Sequence, residues 1–251
     1  MKNKHKKRPH GTHSRKIESI PAGDLDGFED ACNDLKNMCK IINDQNEINQ
    51  QLLKNFIKIR LVSIVEFHLK GFVSELIDNQ NLNPKNILEE DSIQIDLDVL
   101  QNFKNESYTK GKIVVAHLDK MNPGIVYSIM NKINKLDTFK WLDTILNLKS
   151  DDSINFFNNL NVERNNLTHN LTDTFESVST LSAKIHTMST IISSLLVCTN
   201  CNIDMLNKQL PESVIEQLHG SALKKLGLNQ KQFKDITLKF KKEYKPFNKK
   251  Y

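Results

Sequence analysis

Three side chains within the stretch VERNNLTHNL (162–171) are of types that can do chemistry together: Arg164, Asn165 and His169. Arg164 falls in a row of apolar positions, where a leucine is expected. A guanidinium keeps its proton and is costly to bury unpaired, so in such a row it must meet a carboxylate, a phosphate or water. Asn165 and His169 are four residues apart, which places them on one side of a helix, where the amide can orient the imidazole.

The apolar row around Arg164 predicts the helix that carries these three residues. Its members follow a spacing of three and four: Ser153, Phe157, Leu160, Arg164, Leu167 and Leu171. Asp151 or Asp152 is predicted to cap the start of this helix. Arg164 and His169 are five residues apart, about 140° around a regular helix. One straight helix therefore does not aim both at one small target, whereas two copies across a dimer axis, or a distorted helix, can. Alternatively, Arg164 only extends its charged head to solvent.

Helical periodicity over most of the chain predicts an all-α fold, a bundle of up-and-down helices. The 8 Gly and 6 Pro are few for 251 residues, which favours long helices over a turn-rich β fold. Periodic apolar residues predict further helices from about Asp24, over 52–77, 125–133, 139–148 and 174–198, and two short ones over 213–226 and 230–244. The pattern weakens over 78–120, an irregular insert in which SIQIDLDVL (92–100) fits a strand or a short helix. The abundant Asn is interpreted as compositional bias.

The net charge of +5 is concentrated at the two ends of the chain. Basic residues crowd the first tail, and Lys4, Lys6, Lys7 and Arg8 are the candidates there for contact with RNA. The last tail carries a second group, which includes Lys239, Lys241 and Lys242. Basic arms on a balanced body suit a polyanion, because each neutralised phosphate releases counterions. Lysine-rich ends that only maintain solubility are an equal alternative.

The chain shows no signal for secretion, and its most apolar run is short. No apolar stretch follows the basic start, and MSTIISSLLVC (188–198) is too short and too rich in Ser and Thr to span a bilayer. We therefore expect a cytoplasmic protein without a membrane segment and with four reduced cysteines. Cys198 and Cys201 have the spacing of half a zinc site, but Cys32 and Cys39 lie on an apolar face, where buried thiols are ordinary. No metal site is predicted, and no phosphate-binding glycine loop or acidic cluster for two-metal chemistry is present.

The stretch ERNNLTHNL resembles the signature of the HEPN family. That signature is an arginine, a polar neighbour that is very often Asn, and a histidine after four to six residues; here the gap is four. The setting is similar too, because HEPN domains are all-helical, with a long early helix, which IRLVSIVEFHLKGFVSELI (59–77) resembles. The motif of the family opens a late helix. The likeness covers roughly residues 24–205 and is closest to the ribonuclease-like groups of bacterial defence and toxin–antitoxin loci.

This resemblance implies a metal-independent endoribonuclease that acts as a homodimer and needs no cofactor. The motif positions carry over as Arg164, Asn165 and His169, the expected catalytic residues. Glu66, on the early helix, is a supporting candidate that pairs with Arg164 or with the motif histidine. RNA is the expected substrate, and an antitoxin or a regulatory protein is a candidate partner.

The expected domain organisation has three parts: a basic disordered arm (1–20), a HEPN-like helical domain (21–205) and a basic helical C-terminal extension (206–251). A rival interpretation is a catalytically inactive HEPN-like helical module that binds RNA or a protein partner, with the basic tails supplying affinity. The motif is intact, which favours the enzyme, because silent relatives often lose the arginine or the histidine.

Overall fold

A computed structural model describes residues 25–79, 101, 103, 108–118, 121–170, 176–207 and 212–244. All regular secondary structure within these residues is helical, which confirms the predicted all-α class. The nine helices are α1 (Leu25–Ile42), α2 (Glu47–Asn79), α3 (Lys110–Ala116), α4 (Pro123–Asn134), α5 (Thr138–Ile145), α6 (Asp152–Asn170), α7 (Val178–Asn207), α8 (Glu212–Lys225) and α9 (Gln230–Glu243).

The helices predicted from periodicity are present, and their ends differ most from the prediction in two cases. Helix α2 begins five residues before the predicted Leu52, because the Asn46 side chain accepts a hydrogen bond from the Asn49 N–H at 2.9 Å and caps the helix there. Helix α7 continues nine residues beyond the predicted end at Cys198. The region 78–120 is not wholly irregular, since it contains α3, whereas the ambiguous stretch 92–100 lies outside the described residues.

The chain divides into two compact units, and the larger one comprises 25–65 and 122–251. Helix α7 is its central element, because it packs against α1, α4, α5, α6 and α8. Its apolar row is fully buried at Leu181, Ile185, Met188, Ile192 and Leu195. Burial of such a row supplies most of the stability of a helix in a folded protein.

The C-terminal helices α8 and α9 belong to this larger unit and pack against its body. Helix α9 lies on α5 and α8. The buried Trp141 of α5 donates through its indole Nε1–H to the Thr237 hydroxyl of α9 at 3.2 Å, and its ring lies 5.6 Å from the Phe233 ring. A buried indole needs such an acceptor. The predicted boundary at residue 206 stays a prediction.

A buried network of amides joins α4, α7 and α9. The Asn202 amide donates to Asn134 Oδ1 at 2.9 Å, and the Asn134 amide donates to the Thr199 hydroxyl at 3.0 Å. Lys241 Nζ donates to Asn202 Oδ1 at 2.6 Å. Burial, together with the charge of Lys135, lowers the pKa of Lys241 to about 8. Lys241 is therefore part of the packed unit and not a solvated lysine of the basic tail.

The smaller unit comprises residues 1–24 and 66–121, of which the structure describes the second half of α2, helix α3 and a few neighbours. Asp78 Oδ1 of α2 accepts a hydrogen bond from the Gly111 N–H of α3 at 2.6 Å. A Cβ atom at Gly111 would collide with the Ser74 carbonyl oxygen, so only glycine permits this approach. Tyr108 and Ile113 are buried beside this contact.

One helical segment among the described residues, Val178–Met205, is long and apolar enough to cross a membrane, with a hydropathy of 1.3. This segment is longer than the apolar run 188–198 considered in the sequence analysis, because α7 extends beyond that run on both sides. Half of its apolar window is buried inside the protein. A core helix of a soluble protein meets the same criteria, and the packing of α7 against five other helices fits that case.

Candidate active site

Helix α6 carries the motif and starts where the sequence predicts. The Asp151 carbonyl, just before the helix, accepts the first helical hydrogen bond from the Asn155 N–H at 3.0 Å. The carboxylate that receives the Ser153 N–H, at 3.0 Å, belongs to Asp143 of α5. The Ser153 hydroxyl also donates to Asp143, and both residues are buried. The start of α6 is thus fixed by the Asp143 carboxylate of the neighbouring α5, rather than by the side chains of Asp151 and Asp152.

The predicted row on α6 is buried except at its arginine. Ser153, Phe157, Leu160 and Leu167 are at most 2% exposed, whereas Arg164 is half-buried. Leu171 lies outside the described residues. Helices α4, α5 and α7 pack against α6. The guanidinium therefore stands at the edge of an apolar seam, where water still reaches it.

Arg164 and Asn165 contact each other directly. Arg164 Nη1 donates to Asn165 Oδ1 at 2.9 Å, and both side chains are half-buried. The Asn165 oxygen is thus engaged by the guanidinium, and that the Asn165 amide also orients the imidazole of His169 stays a prediction. This bond restricts the rotation of a long side chain, which reduces the entropy that Arg164 loses when it binds an anion.

His169 belongs to the last turn of α6, and its side chain lies outside the described residues. Since α6 is one helix from Asp152 to Asn170, the positions of Arg164 and His169 lie about 140° apart around the helix axis. That their side chains converge on one target stays a prediction.

Thr168 lies between these two residues and makes a contact that the sequence analysis missed. Its hydroxyl is 3.0 Å from the Arg164 carbonyl oxygen and 2.9 Å from the Asn165 carbonyl oxygen. A threonine that donates back to the preceding turn in this way bends a helix. The bend would fall between the arginine and the histidine of the motif.

The residue before Arg164 belongs to a cluster of four charged side chains, buried to different degrees, that the sequence analysis also missed. Lys184 Nζ lies 2.7 Å from Glu163 Oε1 and 2.7 Å from Glu176 Oε1. Lys58 Nζ lies 2.5 Å from Glu176 Oε2 and 4.0 Å from Glu163 Oε2. These side chains come from α2, α6, α7 and the residues just before α7, and Lys58 is only 2% exposed. We call this set the ionic cluster.

The charges of the ionic cluster stabilise one another. Burial alone raises the pKa of Glu176, but the hydrogen bonds and charges of Lys184 and Lys58 outweigh it, so that the pKa lies below the ordinary value of 4.5. Burial alone lowers the pKa of Lys184, and the bonds from Glu163 and Glu176 raise it above the ordinary value of 10.5. Glu176 and Lys184 are therefore charged at neutral pH, and the cluster ties the motif turn of α6 to the first turns of α7.

The other predicted site residues are Glu66 and four basic residues of the first tail. Glu66 is half-buried in the smaller unit, whereas the motif belongs to the larger one, and its pairing stays a prediction. The four basic residues predicted to contact RNA, Lys4, Lys6, Lys7 and Arg8, lie outside the described residues.

The four cysteines are buried, unbridged thiols. Burial raises the pKa of Cys32 to about 11 and that of Cys201 to about 12, and it also raises the pKa of Cys39 and Cys198. These thiols are protonated at neutral pH, which makes them poor nucleophiles. Within the part of the chain that the structure describes, no three His, Cys, Asp or Glu side chains are grouped to hold a metal ion.

Comparison of the chain with protein-family models, with curated proteins and with solved structures finds no match in any of the three.

Proposed function

We propose that this protein is a metal-independent endoribonuclease of the HEPN type, acting as a cytoplasmic homodimer in a defence or toxin–antitoxin system. The observation that best supports this proposal is the contact between Arg164 and Asn165. Their side chains meet at 2.9 Å, half-buried, on the helix that also carries His169. The guanidinium is held at the edge of an apolar seam, a place where it can receive a phosphate from solvent.

Cleavage of RNA without a metal requires three catalytic functions from the protein: a base, an acid and a cation. A base takes the proton of the ribose 2′-OH, whose oxygen then attacks the phosphorus. An acid gives a proton to the leaving 5′-oxygen, and a cation stabilises the extra negative charge on the phosphate. The products are a 2′,3′-cyclic phosphate and a 5′-hydroxyl end. An imidazole can both take and give a proton, so the motif histidine, His169, suits the first two roles, while Arg164 suits the third.

A homodimer reconciles this chemistry with the helical geometry. The two motif residues leave α6 in directions about 140° apart, so one protomer does not readily supply both to one phosphate. Two α6 helices facing each other across a twofold axis place the arginine and histidine of both protomers around a shared cleft. The two symmetry-related imidazoles then serve as base and acid.

The rival proposal is a catalytically inactive helical module that binds RNA or a protein partner. The angle of about 140° between Arg164 and His169 on a regular helix favours this rival. In a single protomer, the histidine then does not point to the phosphate that the arginine binds. In that case RNA binds through basic residues and stays intact.

The deciding experiment incubates the purified full chain with total RNA in EDTA, beside Arg164→Ala and His169→Ala. We expect the wild type alone to cleave, and its products to carry 2′,3′-cyclic phosphate ends. Arg60→Ala and His186→Ala are matched controls, because both residues are exposed and lie on other helices. We expect these controls to cleave like the wild type.

Two results would overturn the nuclease proposal. One is salt-sensitive binding of RNA without cleavage by any variant, which supports the rival module. The other is cleavage that survives both motif substitutions, which would assign the activity to other residues or to a contaminant.

A further inference from the structure

An open groove lies between α1 and the first two turns of α7, apart from the motif. Its volume is about 560 Å³. Lys36 and Lys40 contribute from α1, beside the amides of Asn33 and Asn37, and Ser179 and Ser182 face them from α7. None of the residues that line the groove, all of them within the described ranges, carries a carboxylate. We call it the Lys36–Lys40 groove.

The chemistry of this groove suits a chain of phosphates that carry sugars. Lys36 and Lys40 are one helical turn apart, so their ammonium groups project from the same side of α1. Lys40 Nζ donates to Asn37 Oδ1 at 2.8 Å, which orients the lysine along the groove. Ammonium groups contact phosphate oxygens, whereas amides and hydroxyls bind ribose hydroxyls and base edges.

The ionic cluster relates this groove to the motif helix. Ser182 and Lys184 are two residues apart on α7 and project from nearly opposite sides of it. Ser182 faces the groove, while Lys184 binds Glu163, the neighbour of Arg164. One helix, roughly 10 Å across, therefore separates the groove from the motif turn. A flexible single strand of several nucleotides is long enough to span that width.

We infer that the Lys36–Lys40 groove binds the phosphodiester backbone of the RNA strand whose scissile phosphate lies at Arg164. This inference rests on the proposed function, since that function supplies the identity of the strand. An acidic protein is the competing occupant, and the test below separates it from RNA.

The test measures binding separately from cleavage. The full chain carrying His169→Ala is titrated into a fluorescein-labelled single-stranded RNA, and anisotropy gives the Kd at several salt concentrations. Adding Lys36→Gln and Lys40→Gln should weaken binding about tenfold or more and reduce the slope of log K against log salt by about 1.4, about 0.7 for each phosphate contact. Lys135→Gln with Lys149→Gln, an equal loss of charge at exposed positions outside the groove and both basic tails, should change the Kd less than about twofold.

Equal effects of the two double variants would overturn the inference, because the groove would then contribute only net charge. Displacement of the RNA by polyglutamate as efficiently as by unlabelled RNA would overturn it as well, in favour of an acidic protein.

The failure of this inference is distinguishable from the failure of the nuclease proposal. If the wild type cleaves RNA, and the groove variant binds and cleaves as the control does, only the groove inference fails. If the wild type does not cleave, but the groove variant alone loses RNA affinity, the nuclease proposal fails and the groove remains an RNA site. With both proposals correct, the groove variant has a raised KM and an unchanged kcat.

Discussion

Lys184 Nζ lies 2.7 Å from Glu163 Oε1, and Glu163 is the residue immediately before Arg164. This contact fixes the motif turn of α6 against α7. The ion pairs of Glu176 with Lys58 and Lys184 also connect α2 and the residues before α7 to this turn. A guanidinium that must meet a phosphate needs a fixed backbone beneath it. The ionic cluster supplies that support from residues that need not touch RNA themselves.

Lys58→Met should destabilise the protein strongly. The substitution leaves the buried Glu176 carboxylate without the ammonium that lies 2.5 Å away. An uncompensated buried charge costs about 3–5 kcal/mol; because Lys184 remains 2.7 Å from Glu176, we expect a loss of about 1–3 kcal/mol, measured as the free energy of unfolding in urea. Lys224→Met, at an exposed position, should change it by about 0.5 kcal/mol or less. A Lys58→Met protein as stable as this control would contradict the structural role of the cluster.

The stability of the protein should depend on pH through Glu176 and Lys184. Because folding lowers the pKa of Glu176, its contribution is full above the ordinary value of 4.5 and is lost as the pH falls through the lower value of the folded state. Because folding raises the pKa of Lys184, its contribution is full below 10.5 and is lost as the pH rises through the higher folded value. Urea unfolding of the wild type and of Glu176→Gln should differ by a constant amount between these limits, and the difference should shrink in acid. A difference that persists unchanged in acid would contradict this account.

Thr237→Val should loosen the attachment of α9 to α5. The valine has nearly the same shape but leaves the buried Trp141 Nε1–H without its acceptor, which costs about 1–3 kcal/mol. Thr237→Ser keeps the hydroxyl and should lose less. The fluorescence of Trp141, the only tryptophan of the chain, reports unfolding in all three proteins. Equal stability of the valine variant and the wild type would show that the indole bond contributes nothing.

The helices were predictable because their apolar rows are long and regular. The row from Leu181 to Leu195 indicated α7, and the same spacing around Phe157 and Leu160 indicated α6. The ends were less predictable, since they depend on single hydrogen bonds. The cap at Asn46 stands in a stretch so rich in polar residues that the start of α2 was not visible.

The polar interior was not predictable from the sequence, because its members are far apart along the chain. Lys58, Glu163 and Lys184 lie on three different helices, and no local spacing relates them. Asn134 and Asn202 were hidden by the abundance of asparagine, which was attributed to compositional bias, yet both are buried and hydrogen-bonded. In the candidate site, the position of Arg164 in the apolar row could be predicted from the sequence. The hydrogen bond between Arg164 and Asn165 could not, because the Asn165 side chain could turn either toward Arg164 or toward His169.

The most direct measurement is the cleavage rate of a purified heterodimer of one wild-type and one His169→Ala protomer, joined through two different affinity tags. A shared site that uses both imidazoles, one as base and one as acid, loses a catalytic group worth about 10²-fold or more. We therefore predict a heterodimer nearly as inactive as the His169→Ala homodimer. A heterodimer that retains about half of the wild-type rate, as two independent sites would give, or a wild-type protein that cleaves RNA as a monomer, would contradict the shared site.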